Sequence, residues 1–113
     1  MQRANSILCV IILSAFLTAS ALSAVIPAGW RAPRFWLAEA VCIHEHEGAW
    51  GDDTGNGYYG GMQFLLSTWQ SVGGPGYPQD SPPRVQLYFA YRVWLRDGGS
   101  WREWGSREAC GLE

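Results

Sequence analysis

Glycine and proline decide where this chain can be regular. They cluster at 48–61, 73–83 and 98–99, and leave two long unbroken stretches, 34–47 and 84–97, with a shorter one between. Backbone-permissive glycine and helix-breaking proline end helices where they stand. The first stretch, RFWLAEAVCIHEHE, is expected to be a helix from Arg34 to Glu47 closed by Gly48. It is apolar on nearly every face until its last turn, which predicts a central, buried helix. Gly51 to Gly61 reads as a loop, Met62 to Leu66 as extended, and STWQSVG as a short helix capped by Ser67. The four prolines between Pro75 and Pro83 exclude regular structure there. Arg84 to Asp97 forms the second long helix, with Val85, Tyr88, Phe89, Val93 and Leu95 or Trp94 as its apolar surface. After Gly98-Gly99, Ser100 caps a last short helix through Trp101 and Trp104. The fold class is α+β, mainly helical, with a glycine-rich loop or hairpin after the central helix.

The first 24 residues, MQRANSILCVIILSAFLTASALSA, follow the positive, apolar, small-residue order of a secretory signal peptide. Ala19-Ser20-Ala21 puts the cut after Ala21, and a cut after Ala24 is the alternative. The apolar run is broken by Ser14, Thr18 and Ser20 and is too short for a bilayer span. The product is therefore expected outside the cell, with an extended lead-in at 25–33, one domain from 34 to 113, and no stable membrane span after processing. With nothing recognisable beyond Cys110, that domain is expected to be the whole product and to act as a monomer.

Export gives the cysteines their meaning. Cys9 leaves with the leader, and Cys42 and Cys110 remain. In a domain of about 90 residues, too small for a generous core, a disulfide is the expected pairing. Zinc is the competing use, with His44 and His46 completing a ligand set, but the spacing fits no zinc signature. No metal and no cofactor is expected.

Charge narrows the partner. The net charge is −2, and only 16% of residues are charged against 14% aromatic. A nucleic-acid footprint is missing. Tryptophan and tyrosine over few charges suit flat, uncharged partners such as sugar rings, or a tryptophan-rich core. Cleaving a glycosidic bond requires a carboxylic acid at the leaving oxygen. Glu47 continues the line of Trp36, Ala40 and Ile43, whereas Glu45 follows the side of Ala38, Val41 and Cys42. Periodicity does not choose between them. Asp52 and Asp53 are the only other acids nearby in sequence and read as solvated loop residues. TGNGYYGGMQF supplies permissive backbone, two phenols and an amide, a set suited to hydroxyl and N-acetyl groups. Tyr59 and Gln63 are candidate groove residues. Trp50 and Trp69 either stack on sugar or fill the core, and Thr54 and Asn56 either contact substrate or shape the turn. His44 and His46 read as solvated, and Trp94, Trp101 and Trp104 as packing.

From Cys42 to Trp69 the sequence CIHEHEGAWGDDTGNGYYGGMQFLLSTW resembles the transglycosylase-like domain of actinobacterial resuscitation-promoting factors. The shared elements are a cysteine near a glutamate, a tryptophan, TGNGYYGG, a hydrophobic residue, QF and STW. Gly98-Gly99, Trp101, Trp104 and Cys110 correspond to the family's closing segment, so the likeness runs from Arg34 to Cys110. It implies a small lysozyme-like fold, a Cys42–Cys110 disulfide, secretion to the cell wall, and cleavage of the β-1,4 MurNAc-GlcNAc bond of peptidoglycan by one glutamate. Whether water or the MurNAc C6 hydroxyl completes the reaction is left open. The chain departs at one point: the family places Glu directly after the first cysteine, where this chain has Ile43. Counting back from Trp50 gives Glu45. Counting forward from Cys42, as in animal-type lysozymes, gives Glu47, which is preferred, with Glu45 as the alternative. The rival function is a non-catalytic peptidoglycan-binding module.

Overall fold

The computed structural model describes residues 26–113; the leader read at 1–24 lies outside them. Just before the domain, a turn is closed by the Trp30 N–H on the Pro27 carbonyl. The compact unit is Arg31–Glu113. Its elements are α1 (Arg34–Glu47), β1 (Tyr58–Tyr59), β2 (Phe64–Leu65), α2 (Leu66–Ser71), a 3-10 turn at Pro78–Asp80, α3 (Pro83–Arg96) and a second 3-10 turn at Gly105–Arg107. The strands form an antiparallel hairpin with Tyr58 opposite Leu65 and Tyr59 opposite Phe64. The domain is thus mainly helical with one short hairpin and glycine-rich turns after the helices.

Helix α1 has the expected bounds but not the expected environment. Trp36, Ala40 and Ile43 are buried, while Phe35 is 62% exposed and Val41 also faces solvent. A domain this small has too little material to enclose a helix on every side, so one stripe at helical spacing is covered. Three other expectations are corrected. Ser67 is not a cap: α2 begins one residue earlier and has no side-chain cap. The proline-rich stretch does contain a 3-10 turn. Ser100 accepts the Arg102 N–H at 3.1 Å, but a turn follows rather than a helix through Trp101 and Trp104. Helix α3 is shifted by one residue and starts at Pro83, where a missing N–H costs nothing. Leu95 is exposed.

The core is a relay of rings. Trp36 stacks on Trp101 at 5.4 Å, Trp101 meets Trp104 at 5.2 Å, and Trp104 meets Phe64 at 5.9 Å. Phe64 meets Trp69 at 5.1 Å, and Trp69 meets Phe89 at 4.8 Å. The relay links α1, the C-terminal segment, the hairpin, α2 and α3. Buried indoles usually find acceptors; Trp36 Nε1 has none among the described residues, and the other three tryptophans of the relay do. Trp101 Nε1 donates to Glu39 Oε2 at 2.7 Å, Trp104 Nε1 to the Met62 carbonyl at 2.7 Å, and Trp69 Nε1 to the Pro75 carbonyl at 3.1 Å.

Two further constraints hold the loops. Cys42 and Cys110 form the disulfide, with Cα atoms 6.0 Å apart and 68 positions between them. Gln86, fully buried on α3, accepts the Gly61 N–H at 2.9 Å and donates to the Trp50 and Ser81 carbonyls at 3.0 and 2.8 Å. Neighbouring Gly60 has φ +77°, and a Cβ there would collide with Gln86 Oε1. Glycine is required for the hairpin turn to approach α3 this closely.

Gln86→Leu keeps the bulk and removes all three bonds, leaving one donor and two acceptors unpaired in the interior. At about 1–3 kcal/mol for an unsatisfied buried group, it is expected to lower unfolding stability by more than about 2 kcal/mol in a denaturant titration. Replacing both cysteines by serine releases a loop whose closure is worth about 4 kcal/mol in the chain-entropy model, and should lower the melting temperature of the oxidised protein correspondingly.

Candidate active site

The last turn of α1, the hairpin turn and the C-terminal segment enclose a cavity of about 660 Å³. Its walls carry His46 and Glu47 from α1, Asn56, Tyr58 and Gln63 from the hairpin, and Glu103, Trp104 and Ser106 from the C-terminal segment. A second cavity of about 200 Å³, reaching Phe64, Leu65 and Thr68, shares Tyr58, Gln63, Glu103 and Trp104 with the first. The two read as one groove running along the hairpin.

The structure separates the two glutamates. Glu47 is half-buried and borders the cavity; Glu45 is exposed and is not among its lining residues. Ser106 Oγ donates to Glu47 Oε1 at 2.6 Å. Two amides line the same cavity. Asn56 Oδ1 accepts the Tyr58 N–H at 2.9 Å, which shapes the turn, and its Nδ2 reaches Gln63 Oε1 at 3.5 Å. Gln63 holds φ +48°, the only non-glycine with positive φ among the described residues. That conformation disfavours a side chain with a Cβ, and it occurs where Gln63 faces both cavities. The Gln63 N–H and Nε2 both donate to the Gly60 carbonyl, at 3.1 and 2.9 Å.

The other predicted residues lie elsewhere. Trp69 is fully buried and has no face for a sugar; of its two readings, packing is the one its burial allows. Trp50 is half-buried and stacks on His44 with ring centroids 3.9 Å apart. Tyr59 meets Tyr77 edge-on at 5.2 Å, and Thr54 is exposed in the loop. None of these four borders the cavity.

The histidines are more engaged than solvated side chains would be. His44 Nδ1 donates to the Gly61 carbonyl at 2.7 Å, and its stack with Trp50 fills the space where a Gly61 side chain would stand. His46 is exposed, donates from Nδ1 to the Cys42 carbonyl at 2.8 Å, and borders the cavity. Its ring lies within 4 Å of both disulfide sulfurs. Cys42, His46 and Cys110 are the one metal-like cluster among the described residues, but sulfurs joined in a disulfide offer no thiolates.

Sequence reading missed Tyr58, Glu103 and Ser106 as groove residues and assigned Trp104 to packing alone. One signal pointed to the C-terminal group. Cys42 lies five residues before Glu47, so a bond to Cys110 draws the residues just before Cys110 to the end of α1.

Glu103 belongs to a charged cluster at the groove edge. Arg96 pairs with Glu103 at 2.8 Å, and Arg102 pairs at 3.0 Å with Asp97, whose side chain is 4% exposed. Burial raises the Glu103 carboxyl above its ordinary 4.5, its hydrogen bond with Asp97 adds to this, and the Arg96 charge opposes it. Burial acts to raise Asp97 too, but the hydrogen bond with Glu103 and the charges of Arg102 and Arg96 outweigh it, leaving Asp97 below 3.8. Asp97 Oδ2 is buried without a hydrogen-bond partner among the described residues.

The sequence profile of the transglycosylase-like domain matches residues 34–106. The chain belongs to the transglycosylase-like domain family. It is 45% identical over 69 residues to resuscitation-promoting factor Rpf of Micrococcus luteus, covering 61% of this chain and 29% of that protein. It is 42% identical over 67 residues to RpfD of Mycobacterium tuberculosis (58% of this chain, 42% of RpfD). With RpfE of the same species it shares 40% over 74 residues, 64% of this chain and 41% of RpfE. The chain thus spans under half the length of each of these relatives. Among the described residues, no helix is long and apolar enough to cross a membrane.

The charged cluster gives a signed pH dependence. Asp97, lowered on folding, contributes stability that is full above its unfolded value and is lost as pH falls through the folded one. Glu103, raised on folding, contributes stability that is full below its unfolded value and is lost as pH rises through the folded one. Melting temperatures from neutral to strongly acid pH should show Asp97→Asn flattening the acid-side loss below 3.8 and Glu103→Gln flattening the loss above 4.5.

Proposed function

We propose that this domain acts outside the cell on peptidoglycan and cleaves the β-1,4 bond between MurNAc and GlcNAc, with Glu47 as general acid. The observation that carries the reading is the position of Glu47. It is a half-buried carboxyl at the end of α1, bordering a groove that is also lined by the Asn56 and Gln63 amides and the Tyr58 phenol. Membership in the transglycosylase-like family supports the same reaction class, and the relatives that the chain resembles are resuscitation-promoting factors. The family likeness and the leader-like first segment support export to the cell wall.

The reaction follows from one carboxyl used twice. The Glu47 acid gives its proton to the glycosidic oxygen, the C1–O bond breaks, and the GlcNAc 4-hydroxyl departs. The carboxylate then takes a proton from the MurNAc C6 hydroxyl as O6 bonds to C1, or from a water that does so instead. Groove amides and phenol suit the acetamido and hydroxyl groups of the flanking sugars. Tyr58 and Trp104 offer ring surface along the groove, with Trp104 largely covered by its own packing.

The test is digestion of insoluble peptidoglycan by the full-length chain, produced by export into an oxidising compartment, with muropeptides identified by mass spectrometry. The wild type should release disaccharide products. Glu47→Gln should lower the rate by about 10²–10⁴, the usual worth of a general acid, and Glu45→Gln should change it less than about threefold because an exposed carboxyl outside the groove contributes little. Products lighter by one water identify the C6-hydroxyl route, and reducing ends identify hydrolysis. Loss of product in Glu45→Gln with retention in Glu47→Gln would overturn the assignment.

A further inference from the structure

Among the described residues the Glu47 carboxyl has a single hydrogen-bond partner, and it comes from the far end of the chain. Ser106 Oγ reaches Glu47 Oε1 at 2.6 Å across 59 positions, and both side chains border the same cavity. The contact is built by the fold on both sides. Ser106 sits in the 3-10 turn Gly105–Arg107, directly after buried Trp104, whose indole is tied to the Met62 carbonyl. The turn is fastened by the Arg107 N–H on the Trp104 carbonyl at 3.2 Å, and by Arg107 Nη1 on the same carbonyl at 3.1 Å. Four residues after Ser106, Cys110 is bonded to Cys42 on the helix that carries Glu47. The donor and the carboxyl are therefore placed by one covalent link and one buried indole.

A glutamate carboxyl turns broadly about its last torsion. A general acid must stay within about 2.6–3.2 Å of the oxygen it protonates. Oε1 is occupied by the Ser106 hydroxyl, and no described residue bonds to Oε2. We infer that Ser106 is the positioning residue of Glu47: its hydroxyl holds Oε1 and leaves Oε2 as the oxygen that delivers and recovers the proton. The inference deepens the reading of Glu47 as general acid and rests on it. Because Ser106 acts through the orientation of the acid, its loss affects the chemical step more than substrate capture.

The test uses the oxidised full-length chain with Ser106→Ala, Ser106→Val and Ser106→Thr, the last two differing in shape by little more than the hydroxyl. With a soluble glycan substrate, Ala and Val should lower kcat about tenfold, the worth of one charge-assisted hydrogen bond at the lower end of its range, with KM changed less than about twofold. Thr should recover kcat to within about threefold of wild type. A second readout needs no turnover: at neutral pH the Glu47 carboxyl ¹³C resonance should move in Ala and Val and return towards its wild-type position in Thr. Equal kcat in Val and Thr, or an unmoved Glu47 resonance in a folded Val variant, overturns the positioning role alone. A folded wild type that releases no product overturns the general-acid reading itself, and the positioning role falls with it.

Discussion

The bond between Cys42 and Cys110 is the constraint on which the groove depends. One cysteine lies in the helix that carries Glu47, and the other ends the segment that carries Glu103, Trp104 and Ser106. Neither flank is held by a large core: α1 buries only Trp36, Ala40 and Ile43, and the C-terminal segment has no regular element longer than a 3-10 turn. A covalent tie compensates for the limited surface that a chain of this size can bury. Without it, the groove would keep its hairpin wall but lose one of the two ties, the other being the Trp104 indole on the Met62 carbonyl, that place Ser106 beside the Glu47 carboxyl.

The ring relay explains why a domain with few aliphatic side chains is ordered enough to hold such a site. Each tryptophan contributes a large apolar face, and three of the four also place an N–H on an acceptor: Trp101 on Glu39, Trp104 on Met62 and Trp69 on Pro75. Those directional bonds fix rotation as well as contact. Trp104 is the pivotal ring, since it edges Phe64 beneath the hairpin and also borders both parts of the groove. Gln86 does the equivalent work for the backbone, joining the hairpin turn, the preceding loop and the proline-rich stretch through three hydrogen bonds.

Most of this architecture was legible in the glycine and proline pattern. The bounds of α1 agree to the residue, and α3 is displaced by one position because proline tolerates the first helical turn. The cysteine pair could be read from export and size. Long-range placement was harder to see. Trp50 and Trp69 have the chemistry of sugar platforms, but Trp50 gives one face to His44 and lies off the cavity, and Trp69 is buried in the ring relay. The separation of Glu47 from Glu45 was open because both follow apolar positions of α1, and only tertiary packing shows which faces the groove. Glu103 and Ser106 carry no local signature; they reach the site because the disulfide brings them there.

The central claim is that a glycan strand lies between the hairpin turn and the C-terminal segment, over Glu47. The most direct measurement is an NMR titration of the oxidised Glu47→Gln protein with an uncut MurNAc-GlcNAc oligosaccharide. The account predicts shift changes concentrated at Asn56, Tyr58, Gln63, Trp104 and Ser106, with Thr54 and Tyr77 unaffected. Changes centred on Thr54, Tyr59 and Tyr77, with the groove residues silent, would contradict it.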